Sequence, residues 1–284
     1  MLTEDNIMIH ETINLKDYFK TLENDAYLTS FCQDNFNEWS LNEKRKCLLI
    51  LPGGGYEFVS ERENEPVALR FCGYNIACFT LKYTIAPTLK YPYPLVEVYA
   101  ALAYIRRNAE KYHIDVDKIA VLGFSAGGHL AASCSCYHKE EEYAKFLNID
   151  INEMKINGCL LAYPVISSDF GHSVSIKNIT QGRKDLLDKF SIDKNITQDF
   201  PKTFIWHTTF DSVVPLKNSL VLAEALSMNK VFLELHVYPM HDHGQSLCDR
   251  SVYSKEALSD KIIEEMSYNT QWVDNAIHFI KEYL

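Results

Sequence analysis

Apolar residues in this chain are gathered into short dense runs separated by longer mixed segments. The runs at 47–51, 75–81, 118–122, 157–163, 202–207 and 231–238 are almost continuously apolar, with Val, Ile, Leu, Phe and Cys prominent. A run of that length without polar alternation predicts a strand buried on both faces. Residues 26–31 read as a further N-terminal strand, while the rest of 1–45 is polar and ambiguous. Between the strands the period changes. Residues 65–71 fit a helix. Pro94 opens a longer one, with Leu95, Tyr99, Leu102, Ala109 and Tyr112 near one face and Arg106, Arg107 and Glu110 turned away. Helices are also predicted at 128–133, 215–229 and 269–284, the last with Trp272, Ile277 and Ile280 on its apolar side. Strands alternating with helices imply an α/β fold whose mostly parallel central sheet is flanked by helices on both faces. Residues 166–200 break the rhythm: they are polar, contain Gly171 and Gly182, and predict a short helix at 184–190, so they read as a small cap insertion above the sheet. No Pro/Gly/Ser-rich linker divides the chain, and 1–284 reads as one domain.

Composition narrows the function classes. With 284 residues, 47% hydrophobic and 23% charged, the chain has enough apolar content for a large core. Its net charge of −10 argues against nucleic acid and anionic membrane as partners. No run approaches the roughly 18 apolar residues of a membrane span, and residues 1–10 lack the pattern of a signal peptide. A cytoplasmic protein is expected. Its eight cysteines read as reduced, buried small hydrophobes. Cys134 and Cys136 lack C-x-x-C spacing, and His241-Asp242-His243 offers two ligands with no third cluster, so neither a metal nor a cofactor is expected.

The chemistry centres on Gly123-Phe124-Ser125-Ala126-Gly127, a G-x-S-x-G pattern between an apolar strand and a small-residue helix. A strand, a tight turn with a serine at its tip and a helix make a nucleophile elbow, with backbone N–H groups near the serine. A serine hydroxyl needs a base and a group to orient that base, following it in the order acid, then histidine. Asp211 follows the strand at 202–207, and a turn or N-cap role before Pro215 is its structural alternative. Asp169 is the rival acid, at the start of the irregular insertion. His243 follows the strand at 231–238 and is preferred to His241 because Gly244 beside it suggests a tight loop. His207 reads as structural and His129 as packed. Gly53-Gly54-Gly55 follows an early strand, where Gly54 and Gly55, with Ala126, are the candidate oxyanion-hole donors.

As a set, these stretches resemble the acetyl xylan esterase-like, sugar-hydrolase branch of the α/β-hydrolases. The similar segments are Leu51 to Tyr56, Ser60 to Glu63 with Glu65 to Ala68, Leu81 to Tyr83 with Pro92, Ile119 to Gly128, Phe204 to Thr208 with Asp211, Val214 and Pro215, and Pro239 with His243 to Leu247. The resemblance runs from about Cys47 to the C-terminus. It implies an α/β-hydrolase fold with Ser125 as nucleophile, His243 as base and Asp211 as its orienting acid. It also implies a serine carboxylesterase acting on a small-molecule ester with a short, acetyl-like acyl group, on an acetylated carbohydrate by preference. Pro52 stands where the common HGGG loop has histidine, as is usual in this branch, and Phe210 where relatives often carry a second acid. The same residues would serve an arylformamidase or a peptidase-like amidase, and a non-catalytic binding protein on this fold is the alternative from another class. Acyl chain, alcohol and oligomeric state, a homodimer included, stay open at this level.

Overall fold

A computed structural model of the protein describes residues 8–35, 43–239 and 241–284. Its centre is an eight-stranded sheet in the order β1-β2-β4-β3-β5-β6-β7-β8. The strands are β1 (Thr12–Asn14), β2 (Tyr27–Phe31), β3 (Arg45–Leu51), β4 (Ala77–Lys82), β5 (Ile114–Phe124), β6 (Gly158–Ala162), β7 (Lys202–Thr208) and β8 (Leu233–Tyr238). β1, β2 and β4 pair antiparallel, and all pairs from β4 through β8 are parallel.

Alternate residues of one strand feed opposite layers, as the period of two requires. Leu49 and Leu51 of β3 and Val121 of β5 join one apolar layer, which also holds Val98, Leu102 and Leu130. Leu48 and Ile50, with Leu122 and Phe124, join the other, which holds Phe71, Trp272 and Phe279. These partners come from α1 (Glu65–Cys72), α2 (Tyr93–Arg107), α3 (Ser125–Tyr137) and, at the C-terminus, α9 (Gln271–Tyr283). Helices thus cover both faces, and the chemistry-bearing loops are left at the carboxyl ends of the parallel strands, where ligands bind in open α/β sheets.

Several boundaries differ from the sequence expectation. β5 reaches back to Ile114, because its edge residues pair with β3 beyond the apolar run. α3 begins at Ser125 rather than Gly128. α2 stops at Arg107, so Ala109 and Tyr112 are buried from the turns that follow it. β1, α4 (Glu141–Leu147) and α8 (Asp260–Met266) were not anticipated, being too short for a period to show. The insertion 166–200 carries α5 (Ser173–Thr180), also unanticipated, and α6 (Leu187–Phe190), which with a preceding 3-10 turn covers the expected helix at 184–190. α5 contains three β-branched apolar residues, Val174, Ile176 and Ile179, of modest helix propensity. Its helicity comes from packing over the end of the sheet. α7 (Lys217–Met228) completes the set. None of the helices among the described residues is long and apolar enough to cross a membrane.

Candidate active site

Ser125 sits at the junction of β5 and α3 with φ 51°. A non-glycine residue in the left-handed region is strained, and the strain is held by close packing around it. Gly127 is one reason the packing closes: a Cβ there would lie 2.1 Å from the Leu51 carbonyl oxygen. Val165 N–H donates to the Ser125 carbonyl at 3.1 Å, tying the elbow to the segment after β6. The serine is 8% exposed, so its hydroxyl is reached only through the cleft above it.

His243 comes to that hydroxyl from the loop after β8, and Asp211 from the turn after β7. The His243 Nε2 to Ser125 Oγ distance is 2.7 Å, and Nδ1 lies 2.6 Å from Asp211 Oδ2. A carboxylate only accepts, so Nδ1–H donates to Asp211 and Nε2 is left to accept from the serine hydroxyl. Asp211 itself is fixed by Val213 and Val214 N–H groups on Oδ1, at 3.0 and 2.7 Å. His207 Nε2–H shares its proton between Asp211 Oδ2 (3.2 Å) and the Val214 carbonyl (2.9 Å), while its Nδ1 accepts from Ser219 Oγ at 2.8 Å. Burial works to raise the Asp211 pKa. The hydrogen bonds from His207 and His243 and the His243 charge outweigh it and hold the carboxyl well below the usual range. Asp242 then joins the two loops, accepting from Ser212 N–H at 2.7 Å and from His243 N–H at 2.8 Å.

The other sequence candidates lie elsewhere. Asp169 is a surface group paired with Lys194 at 2.9 Å. His241 lies 3.9 Å from Glu265. His129 is packed inside, between Tyr56 and Phe190. All eight cysteines are free, and no group of His, Cys, Asp and Glu that could hold a metal occurs among the described residues.

The glycine turn after β3 faces the same cleft. Gly54 has φ 125°, a conformation that favours glycine, and an added Cβ would meet the Phe58 carbonyl oxygen at 2.1 Å. The Gly53 carbonyl accepts from Ser60 N–H at 3.0 Å, and the Gly54 carbonyl from Glu57 and Phe58 N–H at 2.9 and 3.2 Å. In a planar trans peptide the N–H points opposite its C=O. Tying those two carbonyls into the turn therefore turns the N–H groups of Gly54 and Gly55 away from it. Ala126, the second residue of α3, has one of the helix-start N–H groups that lack an intrahelical acceptor.

The cleft itself has a volume of about 200 Å³ and is bordered by Gly54, Phe58, Arg62, Ser125, His172 and His243. A larger cleft of about 980 Å³ lies between β2, β4 and α1, and neither Ser125 nor His243 lines it. Sequence reasoning missed several residues at the smaller one. His172, at the start of α5, lies against Gly55, with Nδ1 3.0 Å from Ser175 Oγ. Burial, then the neighbouring His243 charge, push its pKa down. Asn178 of α5 donates to the Gly55 carbonyl at 2.9 Å. Glu63 also lines the cleft, and Tyr163 stands behind it against the His243 ring. All four stand within stretches read in the sequence, Tyr163 at the end of a strand, His172 and Asn178 in the segment 166–200 and Glu63 beside the glycine turn, but nothing there gave any of them a role.

The chain resembles known proteins in family and fold. Residues 36–226 match the profile of the BD-FAE family. The chain is 34% identical over 217 residues to endo-1,4-beta-xylanase B of Butyrivibrio fibrisolvens, a match covering 74% of this chain and 34% of that protein. It is 26% identical over 228 residues to an acetylxylan esterase of Xylanibacter ruminicola, covering 77% of this chain and 45% of the relative. The chain thus spans about a third to under a half of the length of these two curated relatives. Among solved structures, the acetyl ester-xyloside bifunctional hydrolase from Caldicellulosiruptor lactoaceticus superposes with a TM-score of 0.75 at 30% identity, over 94% of this chain and 96% of the other.

Proposed function

The chain belongs to the BD-FAE family and has the α/β-hydrolase fold, and on that footing we propose that it is a serine carboxylesterase using Ser125, His243 and Asp211. The observation that carries this reading is the continuous chain from Ser125 Oγ through His243 to Asp211, with links of 2.7 and 2.6 Å. In the first step Ser125 Oγ attacks the ester carbonyl carbon and its proton passes to His243 Nε2. The negative oxygen of the tetrahedral intermediate rests on the N–H groups of Gly54, Gly55 and Ala126. Collapse breaks the bond to the alcohol oxygen, which leaves with the proton from His243. Water, losing a proton to the same nitrogen, then attacks the acyl-enzyme carbonyl; collapse breaks the bond to Ser125 Oγ, which takes that proton back from His243, and the acid is freed. Asp211 stays ionised and stabilises the imidazolium that forms in each step.

A short acyl group, acetyl by preference, suits the small volume of the cleft. An acetylated sugar is the substrate class that the named relatives support, since one is an acetylxylan esterase and another an acetyl ester-xyloside hydrolase.

The test is hydrolysis of p-nitrophenyl acetate, butyrate and octanoate by wild type and Ser125→Ala, with fluorophosphonate labelling alongside. Acetate should be preferred, and the variant should lose about 10⁴- to 10⁶-fold in kcat. Equal turnover by Ser125→Ala would remove Ser125 from the reaction. Labelling without ester turnover would favour an amide substrate, and neither labelling nor turnover would favour a binding protein.

A further inference from the structure

Two loops must be in register for this chemistry: the glycine turn after β3 and the histidine loop after β8. One buried side chain touches both, directly or through a single intermediary. Glu63 is 3% exposed, at the end of the 3-10 turn Glu61–Glu63. Its Oε2 accepts from Gly53 N–H at 2.8 Å. Its Oε1 accepts from the Tyr163 hydroxyl at 2.7 Å. That hydroxyl oxygen in turn accepts from Ser246 N–H at 2.9 Å, three residues beyond His243, and the Tyr163 ring stands edge-on to the His243 ring with centroids 5.0 Å apart.

The carboxylate has no cationic partner among the described residues. The neighbouring Arg62 guanidinium goes elsewhere, donating to the Gly244 carbonyl at 3.0 Å and stacking over Tyr253 at 4.7 Å. A buried carboxylate without a cation is costly unless hydrogen bonds replace its water. Here both oxygens are used: one donor, Gly53 N–H, lies in the glycine turn, and the other, the Tyr163 hydroxyl just after β6, carries the link on to the histidine loop through Ser246. An apolar side chain would orphan Gly53 N–H and the Tyr163 hydroxyl. An amide would present a donor to one of them, because only a carboxylate has two acceptor oxygens and no N–H. Packing leaves little slack: a Cβ on Gly53 would come within 2.8 Å of Glu63 Oε2 and 3.0 Å of Ser125 Cβ.

We propose that Glu63 is a positioning residue that holds the glycine turn and the histidine loop in register around Ser125, acting through Gly53 on one side and Tyr163 on the other. The proposal rests on the esterase reading above. It predicts that kcat, not substrate affinity, suffers when the link is broken by an isosteric change, because the shape of the cleft border is kept while the geometry of the reacting groups shifts.

The experiment compares wild type, Glu63→Gln, Tyr163→Phe and the double variant on p-nitrophenyl acetate, with thermal melting and fluorophosphonate labelling rates. Glu63→Gln should lose about 10²-fold in kcat, the cost of a misplacement of about an ångström, with KM within about threefold. Tyr163→Phe should follow in the same direction, and the double variant should lose less than the product of the two singles, as members of one chain do. Labelling at Ser125 should slow in parallel. If Glu63→Gln does not fold, Tyr163→Phe decides, since it removes one hydroxyl and keeps the ring. A folded Glu63→Gln or Tyr163→Phe with wild-type kcat overturns the proposal, as does a loss carried by KM. Wild type that neither turns over the ester nor labels at Ser125 refutes the esterase reading, and this proposal with it.

Discussion

Two histidines near the carboxyl ends of the parallel strands have the same wiring and different surroundings. His129 accepts from the Tyr56 hydroxyl on Nδ1 at 2.8 Å and donates from Nε2 to the Phe190 carbonyl at 3.0 Å. His243 accepts from the Ser125 hydroxyl and donates to Asp211. Each ring links a hydroxyl to an oxygen acceptor. The acceptor is a neutral carbonyl at His129 and a carboxylate at His243. His129 is 3% exposed, stacked on Phe190 with centroids 4.0 Å apart, and burial pushes its pKa down to about 4. It stays neutral and its hydroxyl partner is buried. The His243 side chain keeps 15% of its surface and opens on the cleft. A hydroxyl–imidazole pair therefore becomes a candidate for chemistry here only where a negative group can stabilise the imidazolium and a substrate can reach the hydroxyl.

The largest way to break that contrast is to make the two acceptors alike. Asp211→Asn replaces the carboxylate by a neutral amide and leaves the shape nearly unchanged. The imidazolium loses its counter-charge, and the ring loses the partner that fixes its tautomer. The expected loss in kcat on p-nitrophenyl acetate is about 10⁴-fold, with a folded protein that melts lower, since the hydrogen bonds that hold the Asp211 carboxyl ionised also stabilise the fold. A loss below tenfold would mean that the carboxylate at His243 is no more important than the carbonyl at His129.

A second test uses acid. The folded-state pKa of His129 lies below its ordinary 6.5, at about 4. Between those values the unfolded chain binds the proton and the folded one does not, so stability is full above about pH 6.5 and falls as pH drops toward 4. The contribution is on the order of 3 kcal/mol. His138, which burial also pushes down, titrates in the same direction. Urea unfolding of wild type and His129→Phe at pH 7 and pH 4.5 separates the two. The variant starts less stable, with Tyr56 and Phe190 unpaired, and should lose less on acidification. Equal losses would show that His129 is not the group being protected from protonation.

The contrast also explains what could be read in the sequence. The strands at 47–51, 118–122 and 202–207 were legible because burial on both faces leaves a dense apolar run at their centres. The meeting of Ser125, Asp211 and His243 was legible because each follows a strand end, and a parallel sheet brings its carboxyl ends together whatever lies between. Glu63 was not, because its meaning lies in partners 10 and 100 residues away that carry no local pattern. The start of α3 at Ser125 was hidden by a backbone conformation that no composition rule announces. α5 was hidden because its β-branched residues are helical through packing rather than propensity.

Segment 166–200 makes the difference in exposure between the two rings, and it yields the smallest effect. Its α6 supplies Phe190, which covers His129. The start of its α5 supplies His172, which borders the cleft of His243 without closing it, and α5 supplies Asn178. Asn178 donates to the Gly55 carbonyl, in the peptide just after the proposed oxyanion donors. Removing that bond with Asn178→Ala loosens the cap over the glycine turn and leaves the turn's own bonds to Glu57, Phe58 and Ser60 intact. A typical hydrogen bond contributes about 1 kcal/mol net, so kcat/KM for p-nitrophenyl acetate should fall by about fivefold or less, with the acid-stability difference at His129 unchanged. A hundredfold fall would mean that the cap, rather than the turn itself, orients the N–H groups of Gly54 and Gly55. The open and sealed histidines would then depend on one movable element.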